Sequence, residues 1–386
     1  MVRTAGPFIL VPVEWDLIDL DKIEEKWRAV TFITPDDACY DRNHGPIPHL
    51  SADTHTVTVT GLVANPLTLS IAQLRSDFPQ HEVACALQCA GNRRHTMRTL
   101  LKEVQGIDWM DAAVMNCRWR GPRLRDVLAK AGLPEGTDRE GLHVAFGCYQ
   151  VKCQEDDWFG GSVELERALR EDGEVILALE MSGKPLSPAH GYPVRVVIPG
   201  VTGARWVKWL DRITVQQSES PNYYQRRDYK VLPPDATDSR SAEKYWDQVP
   251  PITEMPINSV VAVPDDNETV TLPPSGTVEV RGYAVPRGDQ GPVTRVEVSG
   301  DGGKTWVDAQ LEGSAPEMKW CWVLWKADVP LERGSGKEIL SRATDAGGNT
   351  QQEHSQWNLR GVVYNGYGAS RGLTVVMLEM AKDERP

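Results

Sequence analysis

The chain lacks any apolar run long enough to cross a membrane and carries no excess of positive charge. Residues 1–10 include one arginine and no apolar stretch of signal-peptide length, and residues 382–386 are not a peroxisomal address of the Ser-Lys-Leu type. A net charge of −12 argues against a general surface for nucleic acid or anionic membranes. We therefore expect a protein of the cytoplasm or an organelle matrix, with no nucleic-acid or membrane partner.

The sequence also lacks a disulfide pattern. Its seven cysteines are odd in number and irregularly spaced, which excludes the disulfide framework of a small secreted domain. Cys85, Cys89 and two nearby histidines lack the paired short spacings of a zinc motif, so we disfavour zinc. Cys148 and Cys153 lie five residues apart and are interpreted as structural or exposed thiols rather than as a redox or metal pair.

Size and composition indicate a globular protein of two or three domains. The chain has 386 residues, of which 40% are hydrophobic and 25% charged, and it shows no internal repeat or low-complexity tract. We predict an arm over residues 1–37, with a short helix within residues 20–29, followed by domains over residues 38–245 and 246–386. Residues 231–256, rich in Pro, Asp and Ser, are predicted to be the linker.

Sequence patterns predict an α+β fold. A capping-box pair, Ser70 and Gln73, starts a helix that runs to about Phe78. Residues 82–87 form a strand that delivers Cys89, and a helix follows over residues 94–104. Beyond residue 256 strands dominate, with a hairpin turn at residues 299–304, and their spacing suits an immunoglobulin-like sandwich. The prediction is a mixed α/β domain followed by an all-β sandwich.

The stretch over residues 86–95 has the residue types for metal and anion chemistry. Cys89 lies among small residues and is followed at once by an amide, two guanidiniums and an imidazole. Thiolate sulfur selects soft transition metals, and Arg93 and Arg94 are fork-shaped donors for an oxyanion. Cationic neighbours also lower the pKa of a thiol. The alternative interpretation is a buried structural cysteine, which does not need two adjacent arginines.

The segment Leu-Gln-Cys-Ala-Gly-Asn-Arg-Arg at residues 87–94 resembles the molybdenum-ligand segment of the sulfite oxidase family. The family's cysteine binds a molybdenum that is held by a pterin dithiolene. The resemblance therefore implies molybdenum and molybdopterin as cofactors, with Cys89 as the metal ligand. Further matching segments follow in the family's order and span roughly residues 38–365.

Three further segments resemble cofactor-binding parts of this family. They are Arg-Asn-His at residues 42–44, His-Gly-Tyr-Pro at residues 190–193, and Gly-Ala-Arg-Trp-Val-Lys-Trp-Leu at residues 203–210. The cofactor contacts implied by the resemblance are Arg42, Asn43, His44, His190, Arg195, Trp206, Val207 and Lys208. Independently, a histidine, two arginines and a lysine on glycine-bearing loops suit a phosphate. Ala189 stands where aspartate is common, and the family's pterin-holding aspartate has no clear counterpart.

The resemblance also implies a substrate pocket and a reaction. Arg42, Arg94 and Arg360 would converge with Tyr229 around sulfite, which is oxidised to sulfate by oxo transfer. Arg360 distinguishes this chain from assimilatory nitrate reductases, which usually have an uncharged residue there. The plant-type form is the closest analogy, because the chain leaves no room for the haem domain of animal sulfite oxidases. Electrons are then expected to pass to dioxygen or to an external cytochrome.

The second domain of this family forms the dimer, so a homodimer is expected. Three alternatives stay open from the sequence alone. One is the molybdenum module of a nitrate reductase, and another is an oxidoreductase for a different oxyanion or an S-oxide. The third is a non-catalytic scaffold of the same fold, which predicts damaged ligand motifs, whereas these motifs are present.

Overall fold

Two β-rich regions follow each other along the chain in a computed structural model that describes residues 31–133 and 140–377. The helix predicted within residues 20–29 lies outside the described residues. A single 3₁₀ turn, Asp36–Ala38, precedes the first region. None of the described helices is long and apolar enough to cross a lipid bilayer.

The first region combines two main sheets with short helices. Its elements are β1 Thr56–Gly61, β2 Leu67–Ser70, α1 Ile71–Ser76, β3 Gln80–Gln88, α2 Arg94–Leu100, β4 Val114–Pro122, α3 Leu124–Ala131, β5 His143–Cys148, β6 Phe159–Glu164, α4 Leu165–Leu169, β7 Ile176–Ala178, β8 Glu180–Met181, β9 Lys184–Pro185, β10 Arg195–Val197 and β11 Arg212–Gln216. The sheet orders are β2-β1-β11-β5-β6 and β3-β4-β8-β9, with β10 paired to β7. The β1–β11 pair is parallel and joins distant parts of the chain.

A π-helix, Tyr224–Asp228, and a short helix, α5 Ser239–Ala242, lead into the second region. The second region consists of β12 Asn258–Val263, β13 Thr269–Leu272, β14 Thr277–Val285, β15 Val293–Ser299, β16 Val307–Asp308, β17 Gln310–Glu312, β18 Val323–Pro330, β19 Gly334–Asp345 and β20 Gly368–Met377. Its sheets, β12-β14-β18-β17 and β13-β20-β19-β15-β16, share one apolar core. The α+β prediction, a mixed domain followed by a β-sandwich, is confirmed.

Local signals predicted several elements well. Ser70 and Gln73 form the capping box at the start of α1, with the Gln73 amide N–H donating to Ser70 Oγ at 3.2 Å. The hairpin turn after β15 is fixed by Asp301, whose Oδ1 accepts from the Lys304 and Thr305 amides at 3.0 and 2.9 Å. Strands β13 and β20 were not predicted. They pair in parallel with each other, so the partner of β13 is remote in sequence, and β20 also pairs with the preceding strand β19.

Two predictions need correction. The helix after Cys89 ends at Leu100 rather than at residue 104, because the Gln105 amide donates to the Leu359 carbonyl at 2.8 Å and draws the chain onto a neighbouring loop. The predicted linker is folded rather than free. Leu232 and Trp246 within it are buried against Leu359, together with Ala236 and Ala242. Proline and aspartate here indicate irregular backbone, but the apolar side chains between them still pack into a small apolar cluster.

Candidate active site

Strand β3 ends at Gln88, and Cys89 follows it directly with its thiol in the interior. The backbone of Cys89 is held by a hydrogen bond from its amide to the Ala113 carbonyl at 2.9 Å, and the Gly91 amide donates to Cys89 Sγ at 3.4 Å. Burial raises the pKa of the Cys89 thiol, although Arg94 and the Gly91 amide act in the opposite direction. Arg94 thus lowers this pKa as a cationic neighbour was expected to, but burial outweighs its effect. A bound metal cation would favour the thiolate form at this position.

A cavity with about 710 Å³ of empty space, part of which is open solvent, adjoins Cys89. Its walls come from the loop at residues 40–45, from the segments around residues 87–90 and 203–209, and from single side chains of other elements. The predicted site residues among its lining are Arg42, Asn43, His44, Cys89, His190, Arg195, Trp206, Lys208 and Tyr229. These residues span almost 190 positions of the sequence, and the fold brings them to one place.

Three side chains form a hydrogen-bonded row along one wall. Arg42 Nη2 lies 3.3 Å from His44 Nδ1, and His44 Nε2 lies 2.7 Å from the Tyr229 hydroxyl. Burial, followed by the charge of Arg42, lowers the pKa of His44 well below its ordinary value, so the ring is neutral. Arginine can only donate, so Nδ1 accepts and Nε2 carries the hydrogen that it donates to Tyr229. The Tyr229 hydroxyl hydrogen is then free to point elsewhere.

A second wall carries buried positive charge. Lys208 Nζ donates to the Ala189 carbonyl at 2.7 Å, and Arg195 donates to the His190 and Trp206 carbonyls at 3.0 and 3.2 Å. A Cβ on Gly191 would come within 3.1 Å of the Cβ atoms of both Arg195 and Lys208, and its φ of 107° would strain any other residue, so glycine suits this position. Neither cation forms an ion pair with an acid among the described residues.

Arg94 and Arg360 lie together beside Tyr229 but are not among the residues that line the cavity. Arg94 Nε donates to the Arg360 carbonyl at 3.0 Å, and its Nη1 donates to the Ile107 carbonyl at 2.8 Å. Arg360 forms a short ion pair with Asp228. Arg94 interacts electrostatically with Cys89 and Tyr229, which places its charge close to the thiol. Of the three predicted arginines, Arg42 alone lines the cavity, and the other two flank it.

Three glycines make room for Arg94. A Cβ at Gly91 or Gly106 would come within 2.6 or 2.7 Å of its guanidinium, and a Cβ at Gly361 within 2.7 Å of its Cγ. Gly361 directly follows Arg360, so the second region helps to set the position of Arg94. The Gly91 position explains why the cysteine segment contains a small residue beside the arginine pair.

Arg93 does not point toward the cavity, although it was predicted to donate to an oxyanion there. Its side chain is 2% exposed and points into the second region, where it donates to Asn258 Oδ1 at 2.8 Å and to the carbonyls of Gly366 and Tyr367 at 2.7 and 2.9 Å. It also lies over the Tyr364 ring at 4.7 Å. The prediction that Arg93 is an oxyanion donor is wrong, since Arg93 clamps the cysteine segment to the sandwich.

Val207 is one of the residues that the resemblance implied as cofactor contacts. Val207 is fully buried, and its carbonyl accepts from the Val196 amide at 3.0 Å, so its backbone serves the fold rather than the cavity wall.

Sequence reasoning missed Tyr40 and Asp41, which line the cavity, and Asp228, which holds Arg360. Asp228 could have been found, because a carboxylate next to a predicted site tyrosine is a visible signal.

The donor set suits a large anionic group that carries a soft metal. Asn43 Oδ1 and Arg195 Nε are buried and have no hydrogen-bond partner among the described residues. Arg42, Arg195 and Lys208 face the cavity with Asp41 as the nearby acid. Buried polar atoms and cations are normally satisfied, so a bound group with negative charge completes this wall. The Cys89 thiol beside it has the donor atom that suits a soft metal, and the residues fit a molybdenum–pterin cofactor.

Two family descriptions match the chain: the oxidoreductase molybdopterin binding domain over residues 44–224 and the Mo-co oxidoreductase dimerisation domain over residues 249–369. Sulfite oxidase from Arabidopsis thaliana is 38% identical over 357 residues, covering 86% of each chain. The chain belongs to the sulfite oxidase family. Human mitochondrial sulfite oxidase, another family member, is 42% identical over 352 residues, covering 87% of this chain, which spans 61% of the human protein's length.

This chain is also similar to proteins that are not named sulfite oxidase. NADH nitrate reductase from Spinacia oleracea is 41% identical over 345 residues, covering 86% of this chain and 37% of that protein. The sulfane dehydrogenase SoxCD from Paracoccus pantotrophus has a similar fold, with a TM-score of 0.70 and 24% identity, over 91% of this chain and 85% of that one. The match over residues 44–224 gives this chain the molybdopterin-binding oxidoreductase domain that the sequence predicted.

Lys208 is expected to make the unfolding free energy of the cofactor-free protein depend on pH. Burial, followed by the charge of Arg195, lowers the pKa of Lys208 from 10.5 to about 7. At this residue the unfolded chain therefore binds more protons than the folded one between about pH 7 and pH 10.5, so the contribution of Lys208 to stability should rise with pH across this window. We expect the unfolding free energy of the cofactor-free wild type, minus that of Lys208→Met, to rise across this window when both are unfolded by urea. The same pH dependence in both proteins would contradict the assignment.

Proposed function

We propose that the protein oxidises sulfite to sulfate at a molybdenum–pterin cofactor held through Cys89. The observation that carries this proposal is the cavity beside the Cys89 thiol, which has buried cations on one wall and the Tyr229 hydroxyl on another. When bound, the cofactor would supply oxygen-atom transfer and take up two electrons per sulfite. The residues of this chain bind and orient both the cofactor and the substrate.

Each wall has a separate role in the proposal. Arg195 and Lys208 hold the anionic part of the cofactor, because burial desolvates both charges and neither forms an ion pair with an acid among the described residues. His190 contributes a neutral imidazole, since burial, followed by the charge of Lys208, lowers its pKa to about 4. Tyr229 presents its hydroxyl hydrogen to the substrate, since His44 already donates to the phenol oxygen. Fixed donors in a water-poor site stabilise developing negative charge far more than donors at the surface do.

Arg42, Arg94 and Arg360 would attract the substrate. Arg94 Nη2 has no hydrogen-bond partner among the described residues, and the same holds for the buried Arg360 Nε. Both arginines therefore keep donor capacity although they are anchored by Ile107 and Asp228. Sulfite carries more negative charge than nitrate, so a third cation at residue 360 favours sulfite as the substrate.

The electrons would leave to dioxygen or to an external cytochrome. The experiment that tests the reaction is steady-state assay of molybdenum-loaded protein with sulfite and ferricyanide, with sulfate measured directly. Two ferricyanide ions reduced for each sulfate formed would support the proposal. Ferricyanide reduction without sulfate would overturn it. Parallel assays with dioxygen and with cytochrome c then distinguish the two classes of acceptor.

The match of residues 249–369 to a dimerisation domain supports a homodimer. The chain mass is 42.9 kDa, so light scattering at micromolar concentration is expected to give about twice that value. A mass that stays at 42.9 kDa across this concentration range would contradict the prediction.

A further inference from the structure

Two cysteines outside the site, Cys39 and Cys117, have their sulfur atoms in contact. Their Sγ atoms lie 3.6 Å apart, although 78 residues separate them in the sequence. Both are free thiols, with Cys117 fully buried and Cys39 half-buried. Neither residue lines the cavity described above.

The backbone around this pair is firmly held. The Thr34 amide donates to the Asn116 carbonyl at 2.9 Å, and the Asn116 amide donates back to Thr34 Oγ1 at 3.0 Å. Asn116 Nδ2 also donates to the Phe32 carbonyl at 2.9 Å. These bonds fix the segment before Cys39 alongside strand β4, which carries Cys117. The backbone on both sides of the pair is therefore held in place, which keeps the two cysteines close to each other.

We propose that Cys39 and Cys117 form a reversible disulfide when the protein meets a hydroperoxide. A disulfide has an S–S length of about 2.05 Å, so the two sulfur atoms must approach by roughly 1.5 Å, which small side-chain rotations supply. The balanced reaction is that two thiols and one hydrogen peroxide give one disulfide and two waters.

The order of steps follows from exposure. The half-buried Cys39 is the thiol that an oxidant reaches first, and its sulfur attacks the peroxide to give a sulfenic acid and one water. The Cys117 sulfur then attacks the Cys39 sulfur, expels the second water and closes the bond. A thiol such as glutathione reverses the reaction by thiol–disulfide exchange.

The crosslink would anchor the loop that forms one cavity wall. Cys39 directly precedes Tyr40, whose carbonyl accepts from His190 Nε2 at 3.3 Å, and the following residues to Gly45 line the cavity. A covalent bond from Cys39 to strand β4 therefore ties the start of this loop to the β3-β4-β8-β9 sheet. Oxidation would stiffen the loop without a change in any cavity residue.

Trypsin provides a direct test, because Cys39 and Cys117 fall in different peptides, residues 29–42 and 103–118. After hydrogen peroxide treatment and thiol blocking, we expect a species that contains both peptides and is split by a reductant. The thiol count in denaturant should fall from seven to five per chain. The thermal midpoint of the oxidised protein should rise by roughly 4–8 °C over the reduced protein.

Matched variants make the test specific. Cys39→Ser should lose the joined species and the thermal shift, while Cys148→Ser, which removes another buried thiol, should keep both. If Cys39→Ser does not fold, Cys39→Ala serves the same purpose. A count that stays at seven, Cys39 oxidised to sulfinic acid without a joined peptide, or a bond from Cys117 to Cys85 would each overturn the proposal.

Discussion

Replacement of Cys89 by serine is expected to abolish sulfite turnover while the fold stays intact. Strand β3 delivers the Cys89 sulfur to the edge of the cavity, and a hydroxyl is a much poorer ligand for a soft metal than a thiolate. Loss of a residue that merely supports a metal ligand costs roughly 10–100-fold in activity or metal affinity. Loss of the ligand itself should cost more, about 1,000-fold or beyond.

Cys148→Ser is the matched control for this variant. Cys148 is also a fully buried thiol, but it lies at the end of strand β5 and does not line the cavity. We expect it to retain turnover close to that of the wild type. Circular dichroism and thermal midpoints establish that both variants fold. Sulfite oxidation by Cys89→Ser at more than a few per cent of the wild-type rate would remove Cys89 as the ligand.

Arg94→Gln is expected to weaken substrate capture and so to raise KM for sulfite. The Arg94 guanidinium is anchored to two carbonyls, and its charge acts on both Cys89 and Tyr229. A charge-assisted hydrogen bond to an anion contributes roughly 1.5–3 kcal/mol, which corresponds to about a 10–150-fold loss in kcat/KM. The loss should appear mainly in KM, because attraction of the anion is felt before the reaction as well as during it.

Arg98→Gln, one turn further along helix α2, is the control for Arg94→Gln. Arg98 forms ion pairs with Glu103 and Asp108 near the surface, and its removal should leave KM almost unchanged. Since Arg94 also ties two segments together, the thermal midpoint of each variant is measured beside its kinetics. An unchanged kcat/KM in folded Arg94→Gln would remove this residue from the substrate pocket.

The sequence predicted the parts of the site that are read from local signals. The strand, turn and helix around Cys89 follow from a short apolar run, a glycine and an amphipathic stretch. Segments that resemble the family then selected nine cavity-lining residues from distant positions. Their convergence could not be derived from periodicity, because it depends on how the two main sheets and the sandwich pack.

The errors have physical causes. Arg93 and Arg94 are adjacent and chemically identical, yet the left-handed backbone of Arg93, with φ of 65°, turns the two side chains to opposite sides. One arginine therefore enters the sandwich and the other flanks the cavity. Residues 231–256 were predicted to be a linker because composition reports backbone irregularity and not burial. The net charge of −12 gives no indication of the buried cations beside the cavity, because it is summed over the whole chain.

The measurement that tests the central claim most directly is the ratio of kcat/KM for sulfite with ferricyanide to that for nitrate with reduced viologen, on the same molybdenum-loaded protein. The account predicts turnover with sulfite and none with nitrate, and a reduced sulfite value in Arg360→Met. Turnover with nitrate and none with sulfite would contradict the account, because the cation at residue 360 would then not select the substrate.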